Sequence, residues 1–268
     1  MAERRTIESP LKDATLTDTG EAAIDYKPYA IMPDVRVVKI GGQSVMDRGR
    51  EAVFPILDEI VECRRQNIPI LLLAGGGTRA RHIYSIASEL DMPTGVLAAV
   101  GGYVPMQNAR MLQMLLAKHG GIFMLIDDFE KLPLYIQMGC LPVMTGMPPF
   151  GYWEQRGEDG RIPPHRTDAG VFLSAEFLGC KRAIFVKHED GLFTHDPKKD
   201  PNAEHIPRIS AAELIERDLQ DLVVERVVIE YLQRSRWVKE LQIVNGLKRG
   251  QVTAAMKGED AGTIIYAE

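Results

Sequence analysis

The sequence is short of cysteine. It has three in 268 residues, Cys63, Cys140 and Cys180, widely spaced and without a CxxC pair. That argues against a disulfide framework and a clustered-thiolate metal site, and fits a reducing compartment. No apolar run reaches membrane-spanning length, and the N-terminus has no signal-peptide h-region. A cytoplasmic location with no membrane partner is therefore expected. There is no long basic block and the net charge is -5, so nucleic acid is not an expected partner. Neither GxxxxGK[ST] nor GxGxxG occurs, which disfavours a P-loop and a Rossmann dinucleotide site. Internal repeats and low-complexity tracts are absent too.

What is present is ordinary soluble material, 45% hydrophobic and 26% charged. The length suits one large α/β domain or two small ones and is enough to bury a core. Short apolar runs recur: "VRVVKI" (35–40), "IPILLLA" (68–74), "GIFMLI" (121–126), "LPVMTG" (141–146), "RAIFVK" (182–187), "LQIVNG" (241–246) and "GTIIYA" (262–267). Most are continuous rather than alternating, as in strands covered on both faces. Between them, Val53, Ile56, Ile60 and Val61 share one helical face, as do Met111, Leu112, Leu115 and Leu116. Strand alternating with helix predicts a mostly parallel central sheet between helical layers, an α/β/α sandwich. Residues 1–33 are polar and aperiodic. They read as an N-terminal extension that orders against a neighbouring subunit, leaving 34–268 as the domain.

In such sheets ligands bind beyond the carboxyl ends of the strands, and four strand-end motifs carry chemistry. In "VVKIGGQSVMDRG", Lys39 ends a strand, and Gly41 and Gly42 let backbone approach an anion; taken alone, this motif reads more readily as a plain turn with a surface lysine. In "LLLAGGGTRARH", Gly75, Gly76 and Gly77 precede Arg79 and Arg81 at a helix start, a pairing suited to a tetrahedral oxyanion. In "RTDAG", Thr167 or Asp168 is placed to cap a helix, and Asp168 also suits holding lysines or Mg²⁺ around phosphate. In "FVKHEDGLFTHDPKKDP", Lys187 ends a strand, Asp190 and Gly191 turn, Phe193 suits stacking on a base, and Asp196 and Pro197 turn again.

Together and in this order, these motifs resemble the amino acid kinase superfamily, and the resemblance spans roughly residues 35–266. The last loop and the segment "IVNGLKRGQVTAAMKGEDAGTII" look like the uridylate kinases within it. "VKIGGQSVMDRG", "RARHIYSIA", "TGMPPF", "IPPHRTDAG" and "VNGL" resemble the superfamily's molybdenum storage branch. That branch implies a protein that binds MgATP and stores molybdate or tungstate as polyoxometalate clusters. It also implies an oligomer, a hexamer built as a trimer of dimers, which for this chain is either homo-oligomeric or a mixed pair. The resemblance implies that Lys39 and Lys187 hold the transferred phosphoryl group, with Asp168 organising them and Gly41 and Gly42 facing phosphate. Asp190, Gly191, Phe193, Asp196, Pro197 and Lys198 would grip the nucleotide. Gly75, Gly76, Gly77 and Arg79 would hold a second phosphate.

The chain departs from uridylate kinases on the acceptor side. About sixteen residues, 151–166, intervene before the Thr-Asp pair, "MQNARML" replaces the segment that closes over the pyrimidine nucleotide, and no acidic residue is placed for its ribose. A long loop carrying His165 makes sense if the acceptor is molybdate, a tetrahedral dianion like phosphate. His165 is then a candidate to bind a metal centre or its oxo groups. The alternative is transfer of the ATP γ-phosphate to UMP; a third is a regulatory subunit that binds ATP without turnover. His188 and His195 remain unassigned, and His82 and His119 read as helix-surface residues.

Overall fold

A computed structural model describes residues 29–158, 160–219 and 222–268. β1 (Arg36–Ile40) leads to α1 (Arg50–Arg65), β2 (Ile70–Ala74), α2 (Thr78–Glu89), α3 (Thr94–Leu116) and β3 (Gly121–Phe123). Then come α4 (Leu132–Gln137), β4 (Leu141–Thr145), α5 (Thr167–Leu178) and β5 (Arg182–Lys187). A hairpin of β6 (Leu192–Phe193) and β7 (His205–Ile206) precedes β8 (Arg208–Ser210), α6 (Ala211–Glu216) and α7 (Arg226–Arg234). β9 (Glu240–Asn245), α8 (Gln251–Lys257) and β10 (Thr263–Tyr266) follow. Eight strands make one sheet in the order β3-β4-β2-β1-β5-β9-β10-β8, parallel except where β10 runs against β9.

The period of two along each strand sorts its side chains between two helical layers. Val37, Leu73 and Phe185 pack with Phe172 of α5 and Val228 of α7. Val38, Ile40 and Leu72 pack with Ile60 of α1, Leu112 of α3 and Met256 of α8. Because both faces are covered, the strand sequences are continuously apolar, as the runs predicted. No helix among the described residues is long and apolar enough to cross a membrane.

Three expectations need correction. Strand β3 stops at Phe123, short of the run "GIFMLI". On α3 the inward stripe runs through Val104, Asn108, Leu112 and Leu116, whereas Met111 and Leu115 are exposed. The helix starts at Thr94, earlier than its most apolar stretch, and the sheet meets only part of that stretch. His119 lies half-buried in a single turn after α3, while His82 is exposed on α2 as expected. The expected docking of the N-terminal extension concerns mostly residues 1–28, outside the described residues. Met32 does lie against this subunit, its N–H donating to Leu178 O at 2.7 Å.

The turns after β1 and β2 meet back to back. A Cβ on Gly42 would sit 2.1 Å from Gly77 N, and one on Gly75 would sit 2.7 Å from Gly42 N. Gly77 also takes a φ of 80°, which disfavours any side chain. Gly42→Ala should therefore lower stability by about 1–3 kcal/mol, the usual overpacking cost. Gly102→Ala is the control. It lies inside α3, and its Cβ would find Met147 Cγ at an ordinary 3.6 Å, so it should gain about 0.5–1 kcal/mol from helix propensity. Thermal melts compare them; equal melting of Gly42→Ala and wild type would show that the turns can separate freely.

Candidate active site

The same period of two places Lys39 of β1 and Lys187 of β5 on the sheet face covered by α5 and α7, in line with Val37 and Phe185. The first turn of α5 sets Asp168 between them. Lys39 Nζ donates to Asp168 Oδ1, and Lys187 Nζ lies 3.3 and 3.4 Å from its two oxygens. Lys39 and Asp168 are buried, with only 3% and 5% of their surface exposed. Burial pushes the Lys39 ammonium below its ordinary pKa, and Lys187 adds to this, although Asp168 opposes it. Burial alone would raise Asp168, but the charges of Lys187 and Lys39, with their hydrogen bonds, outweigh it and hold the carboxyl well below the usual carboxylate range. The carboxylate stays ionised and is shared by two cations.

The helix is not capped as expected. Arg166 is its N-cap residue, and Thr167 and Asp168 lie inside the first turn. The cap comes from Glu225, the N-cap residue of α7. Its carboxylate accepts from the N–H groups of Arg166, Asp168 and Ala169 at 3.0, 3.2 and 3.1 Å. In return the Glu225 N–H donates to Asp168 Oδ2 at 3.1 Å. This is the reciprocity of a capping box built between two helices. No local motif announces it, because Glu225 stands 57 residues from Asp168.

A cavity of about 550 Å³ opens over this triad, and Gly41, Gly42, Gly75, Gly76 and Gly77 line it with Lys39, Asp168 and Lys187. Asn108 Nδ2 donates to the carbonyls of Gly75 and Gly76 at 2.6 and 3.2 Å, fixing the turn. Among the described residues no protein group accepts from the N–H of Gly76 or Gly77, which suits an anion.

Other predicted residues stand outside the cavity lining. Arg79 is spent on Asn108 Oδ1, on Gln107 at 3.5 Å and on Asp47 at 4.0 Å. Arg81, Tyr84, Ile162 and Arg166 line the cavity instead. Asp190 is held by Asn245 at 3.0 Å and Lys248 at 2.7 Å. Gly191, with φ 137°, lies against Thr263, whose Oγ1 a Cβ would meet at 2.2 Å. Phe193 lies 5.2 Å from the His205 ring. Asp196 accepts from Lys198 N at 3.0 Å, closing the turn that contains Pro197. The Lys198 ammonium reaches back to Glu189 and to His188 Nε2 at 3.2 Å, both on the cavity wall. The loop carrying Asp190 to Lys198 thus flanks the cavity and touches its rim through one lysine.

The insertion before α5 folds over α3. Thr94 Oγ1 donates to Arg161 O at 2.9 Å, and Arg161 pairs with Asp91 at 2.6 Å. His165 is not part of the cavity lining, its ring stacked 5.7 Å from Tyr231 and its Nδ1 2.9 Å from Glu154 Oε1. When Nδ1 carries the proton that Glu154 accepts, Nε2 keeps its lone pair for a ligand. Glu154 Oε2 is buried without a partner among the described residues. Those residues contain no cluster of three or more His, Cys, Asp or Glu suited to a metal ion.

Two strand-end lysines are bridged by a helix-borne aspartate, beside paired glycine turns on a mostly parallel sheet, an arrangement whose charge and free amides suit an anion. Residues 34–231 match the amino acid kinase family, and the chain belongs to it. It is 48% identical to the molybdenum storage protein subunit beta of Azotobacter vinelandii over 99% of this chain and 97% of that one. It is 26% identical to the uridylate kinase of Thermococcus kodakarensis, covering 85% and 98% of the two chains. The crystal structure of uridylate kinase from Archaeoglobus fulgidus superposes with a TM-score of 0.64 at 26% identity, covering 87% and 99%.

The triad also sets a pH dependence. A carboxyl whose pKa is depressed on folding adds stability that is fully present above its unfolded pKa and is lost as pH falls through the folded one. The stability gap between wild type and Asp168→Asn should therefore be widest at neutral pH and narrow as pH falls below about 4. Urea midpoints from pH 7 to pH 3 measure it, and a constant gap would show that Asp168 is not an ionised partner of the lysines.

Proposed function

We propose that this chain is a subunit of an oligomer that binds MgATP and stores molybdenum or tungsten as oxoanion clusters, ATP hydrolysis driving oxoanion uptake or condensation. The supporting observation is the contrast between the two ends of the cavity. The phosphate end keeps Lys39, Asp168, Lys187 and both glycine turns. The acceptor end is rebuilt by the insertion, which contributes Ile162 and Arg166. The similarity to a molybdenum storage subunit over nearly the whole chain agrees with that contrast. A uridylate kinase reading accounts for the fold and leaves the rebuilt end unexplained.

In this reading Lys39 and Lys187 neutralise the terminal phosphates, and Asp168 keeps the two ammonium groups at a fixed spacing. The N–H groups of Gly76 and Gly77 receive phosphate oxygens. Mg²⁺ would supply further charge neutralisation to the phosphates when bound, and Asp168 is the carboxylate that would face it. Asp190, Gly191, Phe193, Asp196, Pro197 and Lys198 grip the rest of the nucleotide. Residues 34–268 form the kinase-like domain, and 1–33 reach a neighbouring subunit of a cytoplasmic hexamer, a trimer of dimers. His165 meets the oxometalate through Nε2, its ring oriented by Glu154.

Lys187→Ala should cut ATP hydrolysis and ATP-dependent molybdate loading by roughly 10²-fold or more, as loss of one charge-stabilising donor does. Unchanged hydrolysis would remove the kinase-type site. His165→Ala should keep ATP affinity, because the nucleotide loop is a separate segment, and should lower the molybdenum bound per chain. Metal analysis with ATP affinity as the control decides; equal metal at equal ATP binding would take His165 out of the site.

A further inference from the structure

We propose that Glu225 is a positioning residue for ATP hydrolysis, its carboxylate fixing Asp168, and through it the two lysines, by holding the first turn of α5. The proposal rests on the ATP-hydrolysis step of the reading above and adds a residue to that site.

The helix that Glu225 begins gains nothing from its side chain. Glu225 is the N-cap residue of α7, and its carboxylate makes no capping bond to that helix. N-cap positions favour Ser, Thr, Asp and Asn, whose short side chains bend back onto their own helix. Glutamate is a methylene longer than aspartate, and here it reaches across to α5 instead. There it accepts from the N–H groups of Arg166, Asp168 and Ala169, with only 8% of its side chain exposed. A local cap is given up for a remote one, and a residue chosen against its own helix points to a functional constraint.

The remote cap grips Asp168 at two places. The carboxylate of Glu225 takes the Asp168 N–H, and the Glu225 N–H donates to Asp168 Oδ2 at 3.1 Å. Oδ1 meets Lys39, while Lys187 lies 3.3 and 3.4 Å from the two oxygens. Pinning Oδ2 fixes the plane of the carboxylate, so it does not turn to follow one lysine and release the other. Arg166 Nε, 3.6 Å from Glu225 Oε1, supplies countercharge to the gripping group. Donors stabilise a transition state only where they are held in place as its charge develops.

Glu176 offers a comparison on the same helix. Its carboxylate accepts from the N–H groups of Arg236, Trp237 and Val238 at 2.7, 3.1 and 2.8 Å. It is a cap of the same kind, near the other end of α5 and outside the cavity lining. A cap that only joins elements would act alike at both positions.

The test measures kcat for ATP hydrolysis, affinity for a non-hydrolysable ATP analogue and melting point in wild type, Glu225→Gln, Glu225→Asp, Glu225→Ala and Glu176→Gln. Glu225→Asp should cap α7 and so melt above Glu225→Ala. Both should hydrolyse about tenfold or more slowly than wild type, the scale of a misplaced reacting geometry. Glu225→Gln keeps the reach and should recover part of the rate. Analogue affinity should stay within about twofold, because Lys39, Lys187 and the glycine amides still meet the ground-state phosphates. Glu176→Gln should melt lower and keep the wild-type rate. Glu225→Asp at the wild-type rate, or rates that follow melting point through the whole set, overturn the proposal and leave the storage reading standing. A wild type that binds the analogue and hydrolyses no ATP overturns both.

Discussion

The buried bridge from Lys39 through Asp168 to Lys187 is the interaction around which this molecule is arranged. Three charges removed from water are costly unless each finds a partner, and removing one partner of such a set typically costs about 3–5 kcal/mol. Asp168 can serve both lysines only if α5 starts at Thr167. A helix starting there has orphan amides, and Glu225 accepts from them. Glu225 is in place only because α7 packs on the same sheet face as α5. Two strands and two helices are thereby bound into one electrostatic unit. Its geometry is set before any ligand arrives, which is what charge stabilisation in a transition state requires.

That unit occupies one end of the cavity. The opposite end is built from α2, α3 and the insertion, and there the charges are arranged differently. Lysines sit deep and share an acid, whereas Arg81 stands exposed without one. The two ends thus differ in depth and in partner count.

Much of this was legible in the sequence, for identifiable reasons. Continuous apolar runs revealed a sheet covered on both sides, and the lysines stood out because each closes such a run. Phase was harder to read. Arg79 and Arg81 both follow the glycine triplet, but residues two apart on a helix point roughly 200° away from each other. Only one faces the cavity, and the motif favoured the other. Glu225 was invisible because its partners lie 56–59 residues away and it carries no local signature. Strands β6, β7 and β8, of two or three residues, are too short for periodicity to register. The pairing of His165 with Glu154 was hidden inside an irregular segment, where neither period applies.

The insertion leaves β4 at Gly146 and returns at α5, and these ends touch: a Cβ on Gly170 would fall 2.0 Å from Gly146 O. Between them the loop packs on α3 through Tyr152 and is tied down by Arg161 to Asp91 and Thr94, by His165 to Tyr231 and by Arg166 to Glu225. A segment whose ends already meet can grow or shrink at an entropic cost that rises only logarithmically with length. The scaffold therefore behaves like a socket with an exchangeable fitting. Selection can replace the fitting without reopening the charge bridge beneath it, and the lining of that end of the cavity becomes a portable trait of some twenty residues.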